Sequence, residues 1–196
     1  MRGNSHVRCE AGEKVEIISK PYLSLLYQLH NIGVEGVNPW NAFYETVSEY
    51  FGQSNEVVFH FYGNNVPREM DGERFEKRER FFNALQRHNI QVFHGFSVID
   101  SQNRLLSKGI DVLMSINMLD LAREGYEDII LATASSNLVP AIKRIQERGV
   151  KVRAIVSENV PAGKLTSAVN YTISLEEVLG YLPSKNLKWM KESVIA

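Results

Sequence analysis

Cysteine is nearly missing from this chain. Cys9 stands alone in 196 residues, which excludes an intrachain disulfide and suits a reducing compartment. Long apolar runs are missing too. None approaches the roughly 18 residues that a membrane span needs, and Met1 to His6 carry no apolar stretch of the kind a secretory signal requires. An excess of one charge is also lacking. The formal net charge is −1, so any nucleic-acid contact has to come from a local patch. No internal repeat, low-complexity segment or interdomain linker is visible. What remains, 44% apolar and 23% charged residues, fits one globular domain with a proper core. The expectation is a soluble cytoplasmic protein with no membrane partner. Its boundaries are expected as a tail over 1–12, a domain over 13–183 and a second tail over 184–196.

The pattern of residues then sets the elements. Val15 to Ile18 is a short apolar run and reads as a first strand. Pro21 to about Asn31 reads as a helix, with Leu25, Leu26 and Leu29 at helical spacing. Asn38 and Pro39 are an N-cap and a first-turn residue for a second helix to about Phe51, ended by Gly52. Val57 to Tyr62 is β-branched and aromatic on both faces, as in a buried parallel strand. Glu73 to His88 is a charged helix, Gln91 to Ile99 a strand, Ser101 to Ser107 a loop and Asp111 to Glu124 a helix closed near Gly125. Asp128 to Thr133, Val150 to Val156 and Tyr171 to Ile173 read as strands. Asn137 to Arg148 and Leu175 to Leu182 read as helices, and the end of the chain as a ragged helix with Trp189 packed on the body.

Strands alternate with helices, which argues for a parallel sheet covered on both faces. Ligands bind such sheets at the carboxyl ends of the strands. The positions to inspect are therefore Ser19, Tyr62 to Asn65 and Thr133 to Asn137. Tyr62 either stacks on a base or fills the rim. Arg68, Arg74, Lys77, Arg78 and Arg80 either track a phosphate backbone or pair with Glu73, Glu76 and Glu79 on a solvated helix face. Lys185, Lys188 and Lys191 around Trp189 form a second basic cluster. His60 and His94 sit in strands with no metal-ligand partner at readable spacing and read as core histidines.

The segment Lys108-Gly109-Ile110-Asp111-Val112 precedes a helix carrying Asn117-Met118-Leu119. Then come Glu127-Asp128-Ile129-Ile130-Leu131-Ala132-Thr133-Ala134-Ser135-Ser136-Asn137-Leu138-Val139-Pro140 and Arg148-Gly149-Val150-Lys151-Val152. This order resembles NYN domains of the PIN-like nuclease superfamily. That family has a Lys-Gly-Val-Asp segment, a helix with a second acid, a strand ending in Ser-Gly-Asp-x-Asp-Phe-x-Pro, and a Gly-Lys-x-Val strand. Ile17-Ile18-Ser19-Lys20-Pro21-Tyr22-Leu23 lies where the family has Ile-Asp-Gly-x-Asn-Leu, and Phe61-Tyr62-Gly63 is similar to its Tyr-Tyr-Gly strand end. The resemblance covers about residues 13 to 156. It implies an α/β, three-layer, parallel-sheet, Rossmann-like single domain.

It also implies a site. PIN-like nucleases hold Mg²⁺ or Mn²⁺ with clustered carboxylates, and a metal-bound water attacks the phosphate. At the matching positions this chain has Ser19, Tyr22, Asp111, Asn117, Ser135 and Asn137. Asp111 alone keeps the acid. Asn and Ser offer neutral oxygens but no charge, so no metal is expected, or Mg²⁺ or Mn²⁺ at Asp111 if nuclease activity persists. Two replacements are Asn, a common laboratory change from Asp, whereas Ser19, Tyr22 and Ser135 fit natural divergence better. Asp111 is either a residual ligand or a helix-start residue on the dipole. Asp120, one turn beyond Asn117, is a candidate substitute acid. Lys108 is a candidate phosphate contact or a plain surface lysine. Ser135, Ser136 and Asn137 also suit a helix N-cap.

The leading expectation is a non-catalytic NYN-like module that binds RNA, a protein partner or a second copy of itself. Tyr62, Lys108 and the six matched positions would line its cleft. The alternatives are a divergent Mg²⁺- or Mn²⁺-dependent ribonuclease anchored on Asp111, and a phosphate- or nucleotide-binding regulator using Thr133 to Asn137.

Overall fold

The computed structural model describes residues 25–51, 57–101 and 105–190. The expected first strand and Cys9, Ser19 and Tyr22 lie outside these residues. The architecture is mixed α/β with two parallel ladders. In the first, β2 (Phe59–Gly63) pairs with β3 (Ile90–His94), joined through helix α3 (Gly72–Arg87). In the second, the order is β6 (Asp128–Leu131), β7 (Lys151–Val156), β8 (Tyr171–Ser174). Helix α5 (Val139–Gln146) connects β6 to β7, and the short α6 (Gly163–Thr166) precedes β8. Parallel neighbours require such crossovers, so the strand-helix alternation of the sequence carries over directly.

Two antiparallel pairs stand beside these ladders, and neither was expected. Helix α1 (Leu25–Asn31) leads into β1 (Val34–Val37), and β1 pairs with β9 (Leu187–Trp189). Leu187–Trp189 is therefore a strand rather than part of a ragged helix, and Trp189 is 57% exposed instead of packed. The second pair is β4 (Phe96–Ile99) with β5 (Leu105–Lys108). Residues 105–107, expected in a loop, are thus a strand. The expected strand from Gln91 to Ile99 is broken at Gly95 into β3 and β4. A Cβ on Gly95 would collide with the Asn64 side-chain oxygen and the Lys108 carbonyl, so only glycine lets the chain turn out of one ladder and into the other.

Helix α2 (Trp40–Tyr50) follows a cis Asn38-Pro39 bond. Pro39, not Asn38, occupies the N-cap, and no side chain caps the helix. Where a polar side chain is free, capping follows the expected chemistry. Asp71 accepts from the Arg74 N–H at 2.8 Å to start α3, and Ser174 accepts from the Glu177 N–H at 3.0 Å to start α7 (Leu175–Tyr181). The expected helix from Asn137 to Arg148 opens instead as a 3-10 turn over Ser136–Leu138 before α5.

The core falls into three apolar groups. Met118 of α4 (Ile110–Glu124) joins Leu131, Ile142, Val152 and Leu165 around the second ladder. Leu29, Phe43, Ile155, Leu175 and Val178 fill its other face. Phe61, Phe82, Leu85 and Ile90 pack α3 on the first ladder. Each such side chain contributes about 1.5–3 kcal/mol by leaving water. This packing holds α4 against α5 and brings it beside β2, which places its first turn next to the strand ends. No helix among the described residues is long and apolar enough to cross a membrane.

Candidate functional site

Asp111 sits in the first turn of α4, one residue after the helix begins. Gly109 supplies the left-handed turn (φ 84°) that swings the chain from β5 into this helix. Opposite it, the chain leaves β6 and runs through Thr133 to Asn137. Ser135 is buried, and its N–H donates to the Thr133 hydroxyl at 3.2 Å. The two segments meet at a single atom. Ser135 Oγ donates to Asp111 Oδ2 at 3.1 Å, and Asn137 Nδ2 donates to the same oxygen at 2.7 Å.

Neither side chain caps the following helix. Ser135 makes no cap hydrogen bond; its hydroxyl is placed to donate to the Asp111 carboxylate instead. A hydrogen bond to a charged acceptor is the stronger kind and fixes where the side chain points. The expected N-cap role of Ser135, Ser136 and Asn137 is corrected accordingly.

A second linked group lies further along the same helix. Asn117 Nδ2 donates to the Tyr62 hydroxyl at 3.0 Å. That hydroxyl also lies 3.1 Å from His60 Nδ1. The Tyr62 ring stacks on Phe93 with centroids 5.1 Å apart and a 17° tilt. Burial pushes the Tyr62 phenol up, with the Asn117 contact opposing. Burial also pushes the His60 imidazole down, with Glu124 opposing. Both groups are therefore neutral near pH 7: Asn117 donates to the phenol oxygen, and that hydroxyl shares one hydrogen bond with His60 Nδ1 whose direction the imidazole tautomer sets. His60 read in sequence as a core histidine; the structure makes it the terminus of this relay. The signal was available, since His60 and Tyr62 alternate on one face of a strand.

The remaining candidates separate from these two groups. Lys108 is exposed at the end of β5, and its carbonyl lies 3.4 Å from Asn64 Nδ2. Asn64 is buried and ties the end of β2 to the β4–β5 hairpin through Phe96 O at 3.1 Å and Ser107 Oγ. Asn65 holds Glu79 at 2.6 Å. Both asparagines fasten structure together. Asp120 faces Arg123 at 3.5 Å on the surface and stands apart from the Asp111 group. Arg68, in the turn before α3, pairs with Glu76 on that helix, and Arg78 turns inward to the Asn64 carbonyl. Burial, with Arg74 nearby, pushes the Arg78 guanidinium down from its usual range. That helix is laced to its surroundings.

Among the described residues, the donors around Asp111 do not fit a divalent metal. No group of three or more His, Cys, Asp or Glu side chains able to hold a metal ion occurs among the described residues. Asp111 brings one carboxylate, and one of its two oxygens already accepts two hydrogen bonds. Asn137 presents its N–H to that carboxylate, and an N–H cannot bind a cation.

Comparison with known proteins gives a consistent picture. The family model for the NYN domain matches residues 23–176. No curated protein is similar enough in sequence to count as a match. Among solved structures, the chain is similar to the crystal structure of a protein of unknown function from Vibrio parahaemolyticus. The TM-score is 0.53 at 17% identity, covering 69% of this chain and 79% of that one. That likeness concerns the fold.

Proposed function

Since this chain belongs to the NYN domain family, we propose that it keeps the family's cleft and has given up its metal-dependent chemistry, acting as a non-catalytic RNA-binding module. The observation that carries this reading is the Asp111 carboxylate, with Ser135 and Asn137 both donating to Oδ2. In the family those two positions hold acids that repel Asp111 and need a cation between them. Here they are donors that satisfy it. The group carries one negative charge where the family has a cluster, so a phosphate meets less repulsion here than it would at the family's site stripped of its metal.

RNA is favoured as the ligand because NYN domains often bind it, and because exposed Lys108 lies just before Asp111 at the mouth of the cleft. A lysine on a flexible stem reaches a phosphate as a point charge. The Thr133 to Asn137 turn forms the opposite wall. Tyr62 is held by His60, Asn117 and Phe93, so it shapes the cleft and is not free to swing onto a base.

The test is fluorescence anisotropy with single-stranded RNA in excess chelator. Binding should persist without metal, and Lys108→Ala should weaken it and lower the salt slope by about one counterion. An absence of binding at low salt, or binding that requires Mn²⁺, would sink the reading.

A further inference from the structure

One cation on α3 is placed unlike its neighbours. Phe82 and Leu85 mark the buried stripe of this helix, and Arg78 lies one and two turns before them on the same stripe. Arg68, Lys77 and Arg80 are exposed. Arg78 is half-buried and reaches the end of β2, where Nη1 donates to the Asn64 carbonyl. It makes no other hydrogen bond and no ion pair among the described residues.

Lysine can answer burial by losing its proton, but arginine cannot. Arg78 therefore stays cationic, and a buried cation costs stability until an anion meets it. Burial and the neighbouring Arg74 both act against its charged form, and no carboxylate acts for it. One carbonyl satisfies one N–H, so the rest of the guanidinium fork lacks an acceptor.

The surroundings supply donors rather than acids. Arg78 lines one cleft with Ser107, Asp111 and Asn137. Ser107 Oγ accepts from Asn64 Nδ2, which leaves its O–H to donate. Asn64 alone separates this hydroxyl from the fork. The acids on this side are engaged: Asp71 by the Arg74 N–H, Glu79 by Asn65, and Asp111 by Ser135 and Asn137. Donors without acceptors suit an oxyanion. The fork matches two oxygens of a phosphate, and it stands at the carboxyl end of a parallel strand, where ligands bind such sheets. Lys108 alternates to the other face of β5 from Ser107, so it is a separate contact.

We propose that Arg78, with the Ser107 hydroxyl across Asn64 from it, forms a phosphate subsite of the cleft that takes one phosphate of a bound RNA strand. The choice of RNA as the source of the phosphate rests on the reading given above.

The test is fluorescence anisotropy of the full chain with single-stranded RNA in chelator, over a salt series, with 5′-phosphorylated and 5′-hydroxyl forms of one sequence. Arg78→Gln should weaken binding about tenfold and lower the salt slope by about one counterion. Arg78→Lys should keep the slope and weaken binding less. Equal weakening for both oligonucleotides places the phosphate within the strand, and weakening confined to the phosphorylated form places it at the end. A second readout needs no RNA. Inorganic phosphate should raise the wild-type melting temperature above its value in chloride at equal ionic strength, and the difference should vanish in Arg78→Gln. Melting in chloride shows that each variant is folded; if Arg78→Gln is not, undiminished RNA affinity in Arg78→Lys overturns the proposal. RNA binding with an unchanged slope in Arg78→Gln would overturn it and leave the RNA reading standing. A phosphate effect that survives in Arg78→Gln would also overturn it. A wild type that binds no RNA yet is stabilised by phosphate through Arg78 would keep the subsite and contradict the RNA reading.

Discussion

Asn137 donates its side-chain N–H to Asp111 Oδ2 at 2.7 Å, so the residue standing where the NYN family has an acid is a hydrogen-bond donor to the acid that remains. This one contact turns a repulsive pair into an attractive one. It stabilises the junction between the β6 exit and α4.

Restoring the acid should reverse that effect. Asn137→Asp places two carboxylates within about 4 Å, a repulsion of roughly 1–4 kcal/mol at effective dielectrics of 80 to 20. The variant's melting temperature should fall in chelator and recover with Mn²⁺, because only the variant has two acids to share a cation. The wild type's melting temperature should not respond to Mn²⁺. Equal stabilisation of both proteins by the metal would contradict the assignment.

The Asn117–Tyr62–His60 chain should be coupled. Tyr62→Phe removes the hydroxyl and leaves a half-buried amide and imidazole short of a partner, at a cost of about 1–2 kcal/mol. Asn117→Ala in the Tyr62→Phe background should then cost clearly less than in the wild type. Urea midpoints of the four proteins give the cycle, and strict additivity would show that the hydrogen bond contributes nothing.

His60 gives the protein a dependence on mild acid. Burial holds its folded-state pKa below the ordinary value of about 6.5. The unfolded chain therefore binds the proton more readily. The stability from keeping His60 neutral is present in full above about pH 6.5 and is lost as pH falls through the folded pKa. Urea midpoints measured downward from pH 7.5 should decline in the wild type and decline less in His60→Gln. Parallel curves for the two proteins would remove His60 as the cause.

The sequence revealed the parallel ladders and the strand-helix order, because a buried parallel strand needs continuous apolar residues and a long crossover. The Asp128–Leu131 and Lys151–Val156 strands are of this kind. It did not reveal β1, β5 or β9, which have only three or four residues. For β1 and β9 the partner lies far off in the chain: Val34 pairs with Trp189, and a pairing at such distance leaves no local periodicity. Gly95 carried a legible hint, a glycine inside a strand pattern, yet its reason is the approach of Asn64 and Lys108 from two other segments.

The candidate site was legible in the same uneven way. Asp111, Ser135 and Asn137 were nominated separately by motif position, and the structure brings them to one oxygen. Asn117 and Tyr62 are both positions the motif marks, but their direct hydrogen bond, which His60 extends, depends on where α4 lies against β2. The capping role expected of Ser135 and Asn137 failed because both side chains are directed at a carboxylate from another element, Asp111.

RNA cleavage with Mn²⁺ and with Mg²⁺, on mixed single-stranded and structured substrates and with Asp111→Ala alongside, tests the central claim most directly. The account predicts no metal-dependent cleavage by the wild type above the level of Asp111→Ala. Cleavage that requires the metal and disappears with Asp111 would contradict it and make this chain a working nuclease.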